Sequence, residues 1–250
     1  MRATKLIFFL LLICIAACES DSSSELNNSQ GTGGSMTRFA ISNGYMYIAS
    51  QSTISVFDIR NNTFEKINTI STNGGLETVV ARGEYLYLGA TDAMYIYSIA
   101  DPVTPTFIFR YAHIVSCDPV VVQGDRAFVT LRAGSACNRG ANALEIIDIT
   151  NKNNPSLIAN YPMLSPHGLG VDGNLLFICE GEHGLKVFDI QNERSIQLKH
   201  HIENIHAYDV IPNNGILLLT GEDGVFQYRY DQQTGTLILL SKIPVSRTEV

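Results

Sequence analysis

Five glycines, Gly44, Gly83, Gly124, Gly173 and Gly215, recur 39 to 49 residues apart in matching surroundings, and that period admits few folds. A short alternating segment leads to each glycine. An aromatic and aliphatic strand follows it, then a polar loop, then a strand of the form x-[VI]-[FYI]-D-I. The strands after the glycine occupy residues 45–48, 85–88, 126–129, 175–178 and 216–219, and the next set occupies 54–59, 94–99, 144–149, 185–190 and 225–230. A weaker fourth strand ends each unit, as at 106–109 and 237–240. β-Branched and aromatic runs bounded by Asn, Gly, Asp and Pro are strand signals. Four strands in roughly 40 residues is the period of a propeller blade. No window beyond the first twenty residues carries a helical period. The expectation is an all-β chain, a five-bladed β-propeller of four-stranded antiparallel blades, at about 36–75, 76–117, 118–166, 167–206 and 207–250. Radial packing hides sheet edges that a β-helix or open sandwich array would leave bare. The last repeat is complete through Ile243, which points to ring closure by packing rather than strand exchange.

Composition narrows the partners. At 250 residues the chain can bury one sizeable core. Charged residues make up 16% of it, too few for a disordered chain or a coiled coil. A net charge of −7 offers no general attraction to nucleic acid or anionic lipid, so nucleic acid is excluded as a partner.

The first residues read as an address. Arg2 and Lys5 precede an apolar run from Leu6 to Ala17, too short to span a bilayer as a helix. Residues 1–17 therefore read as a signal peptide. The junction Ile15-Ala16-Ala17-Cys18 resembles the bacterial lipobox, which implies lipidation of Cys18 and attachment to a membrane. An ordinary signal cut after Ala17, with Cys18 an incidental thiol, is the alternative. Residues 18–35, rich in Ser, Asn and Gly, read as a flexible tether to the propeller at 36–250.

The strands ending VFDI and IIDI, with Gly184-Leu185 before one of them, resemble LVIVD repeats, which occur in bacterial surface and lipoprotein β-propellers. The stretch from Cys117 to Val122, then residues 129–132, Cys137 and residues 166–170, is similar to lipoproteins of the Bacteroidota type. The resemblance spans residues 36–250 and is sharpest from Cys117 to Asp189; Ser98 departs from it where Asp58, Asp148 and Asp189 stand elsewhere. It implies fold and a cell-envelope address, with the outer membrane as destination, and almost nothing about chemistry.

Secretion permits disulfides. Cys117 precedes the inner strand of the third repeat, and Cys137 lies in that repeat's enlarged loop. In a propeller both connections emerge on one face, so a Cys117–Cys137 bridge is expected, against two free thiols. Cys179, inside an apolar run, reads as a buried hydrophobe.

Six residues before the turn glycines stand Arg38, Glu77, Asp118, His167 and, likewise placed, Asp209, all polar on strands otherwise built for burial. Such residues would begin the innermost strands and face the channel mouth. They form the candidate ligand site, with the acids and His167 as donors to a ligand or cation. Hydration, or bonds that tie neighbouring blades together, would equally account for their polarity. Glu222-Asp223 and Glu180-Gly181-Glu182 read as solvated loops. H-E-x-x-H, G-x-S-x-G, P-loop, dinucleotide and CxxC motifs are all missing. The functional expectation is a non-enzymatic binding or interaction module, monomeric, for an unidentified protein or small molecule, with no cofactor and no catalytic residue assigned. A hydrolase or lactonase using a divalent cation at the mouth is the alternative, and the metal is unknown.

Overall fold

The computed structural model describes residues 33–245 except 62, 113–118 and 134–140. Cys18, Cys117, Asp118, Cys137 and the signal and most of the tether lie outside the described residues. The chain is all strand and turn: β1 (Phe39–Ser42), β2 (Tyr45–Asp58), β3 (Glu65–Arg82), β4 (Tyr85–Ala90), β5 (Ala93–Ser98), β6 (Thr106–Ala112), β7 (Val120–Gln123), β8 (Arg126–Leu131), β9 (Ala143–Asp148), β10 (Ser156–Pro162), β11 (Leu169–Asp172), β12 (Leu175–Cys179), β13 (Leu185–Asp189), β14 (Gln197–Ile202), β15 (Ala207–Asn213), β16 (Ile216–Gly221), β17 (Gly224–Tyr230) and β18 (Leu237–Pro244).

Among the described residues these strands make four antiparallel sheets, not the expected five. One is six-stranded, β1 to β6 in order, and three are four-stranded, β7–β10, β11–β14 and β15–β18. The first two repeats merge because β3 runs unbroken from the outer strand of the first into the inner strand of the second. β2 bends at Gln51, which has φ of 34°, and pairs Gln51 with Leu76 across what would be the gap between blades.

The repeated sequence is explained strand by strand. The first and second strands of every repeat meet at a two-residue turn. Asn43-Gly44 and Asn214-Gly215 hold positive φ at both positions, the geometry that suits the twist of a tight hairpin. The residue after the motif aspartate, or after Ser98 and Arg229 at the same place in the second and fifth repeats, donates its N–H to the carbonyl of that turn: Ile59 to Gly44, Ile99 to Glu84, Ile149 to Asp125, Ile190 to Asn174 and Tyr230 to Gly215, at 2.8–3.0 Å. The aspartate itself accepts the N–H two residues on, Asp148 from Thr150 at 2.8 Å and Asp189 from Gln191 at 2.9 Å. Ser98 keeps that role through its hydroxyl, 3.2 Å from the Ala100 nitrogen. Each outer strand carries a bulge opposite the third strand, which kinks the exposed edge against pairing with other chains.

Four hydrophobic clusters join consecutive repeats, first to second, second to third, third to fourth, and fourth to fifth. One aromatic position anchors each. Tyr47, Tyr87, Phe128 and Phe177 stand at the same place in successive repeats, no more than 1% exposed, and reach toward the next repeat. At that place the fifth repeat has Leu218, 42% exposed, and nearby Val225 is 37% exposed. Among the described residues no apolar cluster joins the fifth repeat to the first, so closure by packing is not seen.

A polar strap spans that seam instead. Ser35 is buried; its hydroxyl donates to Asp209 at 2.9 Å and accepts the Leu169 N–H at 2.8 Å. The Thr37 carbonyl accepts the Val79 N–H at 2.9 Å. Gly34 lies so close to Asp209 that a side chain there would collide with the carboxylate. Gly34 and Ser35 thus belong to the folded domain, although the sequence assigns them to the tether.

Candidate functional site

The strap runs past Val79 in the second half of β3 and past the starts of β11 and β15, and this end of the inner strands is the mouth. Arg38 and Glu77 share an open polar cleft of about 470 Å³ with Gln51, Asn73 and Thr91. A narrower apolar cavity of about 230 Å³ lies below, between β1, β3 and β7.

Asp209 faces inward rather than toward solvent. Besides Ser35, its carboxylate accepts the Val210 N–H at 2.9 Å and the Met36 N–H at 3.4 Å. Burial pushes its pKa above the ordinary value, with these hydrogen bonds acting in the opposite direction. A carboxylate saturated by its own chain has little left for a cation.

His167 is held just as firmly. Its Nδ1 is 2.8 Å from the Ser165 carbonyl, which can only accept, so Nδ1 carries the proton. Nε2 is then the acceptor for the Arg132 guanidinium at 3.0 Å. Burial lowers the imidazole pKa, the Ser165 carbonyl opposes that, and Arg132 and His206 lower it further. Neutral His167 therefore positions Arg132. The Thr130 hydroxyl donates to the His167 carbonyl at 2.6 Å and ties the third repeat to the fourth.

Around this pair sit groups that the sequence left in solvent. Glu180 is fully buried, paired with Lys186, and accepts the Leu164 N–H at 2.9 Å. His206 Nδ1 lies 3.0 Å from Glu222. The Tyr208 ring centroid is 4.9 Å from that of His206 and 6.0 Å from that of His167. Gly181 runs beside both imidazoles, where a Cβ would come within 2.8 Å of His167. His201, on the outer strand, is turned to the His183 carbonyl at 2.8 Å. Of the expected ring, Arg38 and Glu77 come together, while His167 and Asp209 each serve a separate polar cluster. Arg132 carried no sequence signal, because its partner comes from the neighbouring repeat. Among the described residues no group of three His, Cys, Asp or Glu converges to hold a metal ion.

The LVIVD repeat model matches residues 33–64 and 117–162. None of the curated proteins matches the chain. Solved structures do. A Lactobacillus plantarum protein is 15% identical with a TM-score of 0.65, over 80% of this chain and 69% of that one. A functionally unknown protein from Desulfotomaculum acetoxidans is 11% identical with a TM-score of 0.67, over 87% and 70%. A candidate 6-phosphogluconolactonase from Bacteroides uniformis is 14% identical with a TM-score of 0.62, over 86% and 70%. At such identities the likeness concerns the fold alone. Repeats, sheet order and structural likeness agree that this chain is an all-β propeller carrying LVIVD repeats.

Proposed function

We propose that this protein is a cell-envelope lipoprotein of the Bacteroidota type, anchored to the outer membrane through a lipid on Cys18, whose propeller binds a ligand or partner at its mouth without chemistry of its own. The observation that carries the reading is the engagement of Asp209 and His167. They are the mouth's described acid and imidazole at the expected ring positions besides Glu77, and both are held by internal hydrogen bonds. A general base needs a free acceptor within reach of substrate. A polar cleft with rigid walls supports binding instead.

The test is turnover by the purified full chain against lactones, esters and glycosides, with and without divalent cations. No turnover is expected; ordinary enzymatic rates on any of them would overturn the reading in favour of a metal-assisted hydrolase or lactonase. The lipid is tested by labelled palmitate, which should enter the parent and not Cys18→Ala. In the same export compartment Cys117 and Cys137 should be joined, read as a two-hydrogen mass loss before reduction.

A further inference from the structure

We propose that the mouth contains an anion site in which the Arg132 guanidinium takes a carboxylate or phosphate group, flanked by His206 and Tyr208. The inference rests on the binding-module reading and narrows its ligand to an anionic one.

Among the described residues each acid of this cluster has a partner: Glu180 pairs with Lys186, and Glu222 lies against His206 Nδ1. Arg60 faces Asp58, Arg110 faces Asp92, Arg126 faces Glu193 and Asp148, Arg82 and Arg194 donate to carbonyls, and Arg38 and Arg229 are exposed. Arg132 is half-buried, and its partner is the lone pair of His167, a group with no negative charge to offer. The proton on His167 Nδ1 is fixed by the Ser165 carbonyl, so the imidazole orients the guanidinium, and among the described residues no acid compensates its charge.

A guanidinium has five N–H donors in a rigid plane and suits a two-oxygen anion. With one donor on His167, the rest of the fork remains for a ligand. The neighbouring groups are aromatic: Tyr208 lies beside both imidazoles, and the Gly181 backbone packs against His167 and His206 so closely that a Cβ there would collide with His167. Carboxylate and phosphate share the chemistry that this arrangement recognises.

Calorimetric titration of the purified full chain with succinate and, separately, inorganic phosphate, at constant ionic strength in sodium chloride, tests the site. Saturable binding of at least one anion is expected, and which one binds identifies the headgroup. Arg132→Gln should weaken it by about 10- to 100-fold, the loss of a charge-assisted hydrogen bond. Arg132→Lys should fall between, since it keeps the charge without the fork. Arg60→Gln, at the far end of the first repeat, should bind as the parent does. No saturable binding by the parent, an unchanged affinity in Arg132→Gln, or an equal loss in Arg60→Gln would overturn the proposal. These outcomes leave the non-enzymatic reading standing, whereas turnover of a lactone or ester would remove that reading whatever Arg132 does.

Discussion

Ser35 and Asp209, 174 residues apart in the chain, are joined by a 2.9 Å hydrogen bond that links the entry to the first repeat with the inner strand of the last. The same hydroxyl oxygen accepts the Leu169 N–H, so a single side chain ties three segments together. Ser35→Ala would strand a buried amide and remove a donor from a half-buried carboxylate. The expected cost is about 1–3 kcal/mol in urea unfolding. A change below about 0.5 kcal/mol would show that the strap does not hold the seam.

Asp209 should also write a pH dependence into stability. Its folded pKa lies above the ordinary value of 3.8, so between those two values the folded state binds more proton than the unfolded. Its contribution is therefore favourable at low pH and is lost as pH rises from 3.8 through the folded pKa. The half-buried aspartates Asp58, Asp148 and Asp189, held below the usual range by hydrogen bonds to Arg60, Thr150 and Gln191 among others, slope the other way. The difference between parent and Asp209→Asn isolates Asp209. The parent should lose stability relative to the variant as pH rises across that window, measured by urea unfolding at each pH. A constant difference would refute the assignment.

The repeated aromatic position predicts unequal costs for like substitutions. Phe177 is sealed between the fourth and fifth repeats and packs edge-on against Tyr230 at 5.0 Å. Phe177→Ala should cost about 3–5 kcal/mol, as large-to-small changes in packed cores do. Leu218→Ala, at the equivalent but exposed place, should cost under about 1 kcal/mol. Equal losses in thermal or urea unfolding would mean that the face bearing Leu218 is covered in solution.

Strands and turns were legible because each depends on residues close in sequence; the motif aspartate recurs visibly too, though only the structure shows what it bonds to. Asp148 bonds two residues on, and Ser98 substitutes for an aspartate by the same local route. What could not be read joins residues through space. The merged first sheet depends on a bend at Gln51 and its pairing with Leu76, where no turn residue marks a break or its absence. Ser35 hid in a stretch whose composition says tether, since burial of one serine leaves no periodic trace. Glu180 looked like a solvated loop acid, and only the adjacent strand reveals Lys186 as its partner. Arg38, Glu77, His167 and Asp209 could be picked out by their polarity, but the groups that hold His167 and Asp209, among them Arg132 and Ser35, come from elsewhere in the chain.

Under the lipid-anchor reading, the mouth should face the bilayer. Gly33 borders the cavity below the mouth, and the chain from Cys18 to Gly33 can extend at most about 50 Å. Wrapping to the opposite pole of a domain this long would need roughly 70 Å, taking a sphere of the expected gyration radius. On vesicles carrying the anchored protein, a bulky maleimide should label Asn214→Cys, at a far-side turn, faster than Glu77→Cys. The difference should shrink when Cys18→Ala frees the chain. Equal rates on anchored protein would count against this orientation.

Glu180 and Lys186 make the sharpest test of the mouth's internal electrostatics. The carboxylate is fully buried and receives both the ammonium and the Leu164 N–H, while the lysine is partly exposed. Removing one partner of such a pair leaves the other charge in a poor solvent, so Glu180→Leu or Lys186→Met alone should cost about 3–5 kcal/mol. Removing both takes away the attraction and the desolvation together, and the double variant should be more stable than either single one. The coupling is read from urea unfolding of the four proteins. Losses that simply add would show that the two groups act independently, and that the fold around His167 and Arg132 does not depend on their attraction.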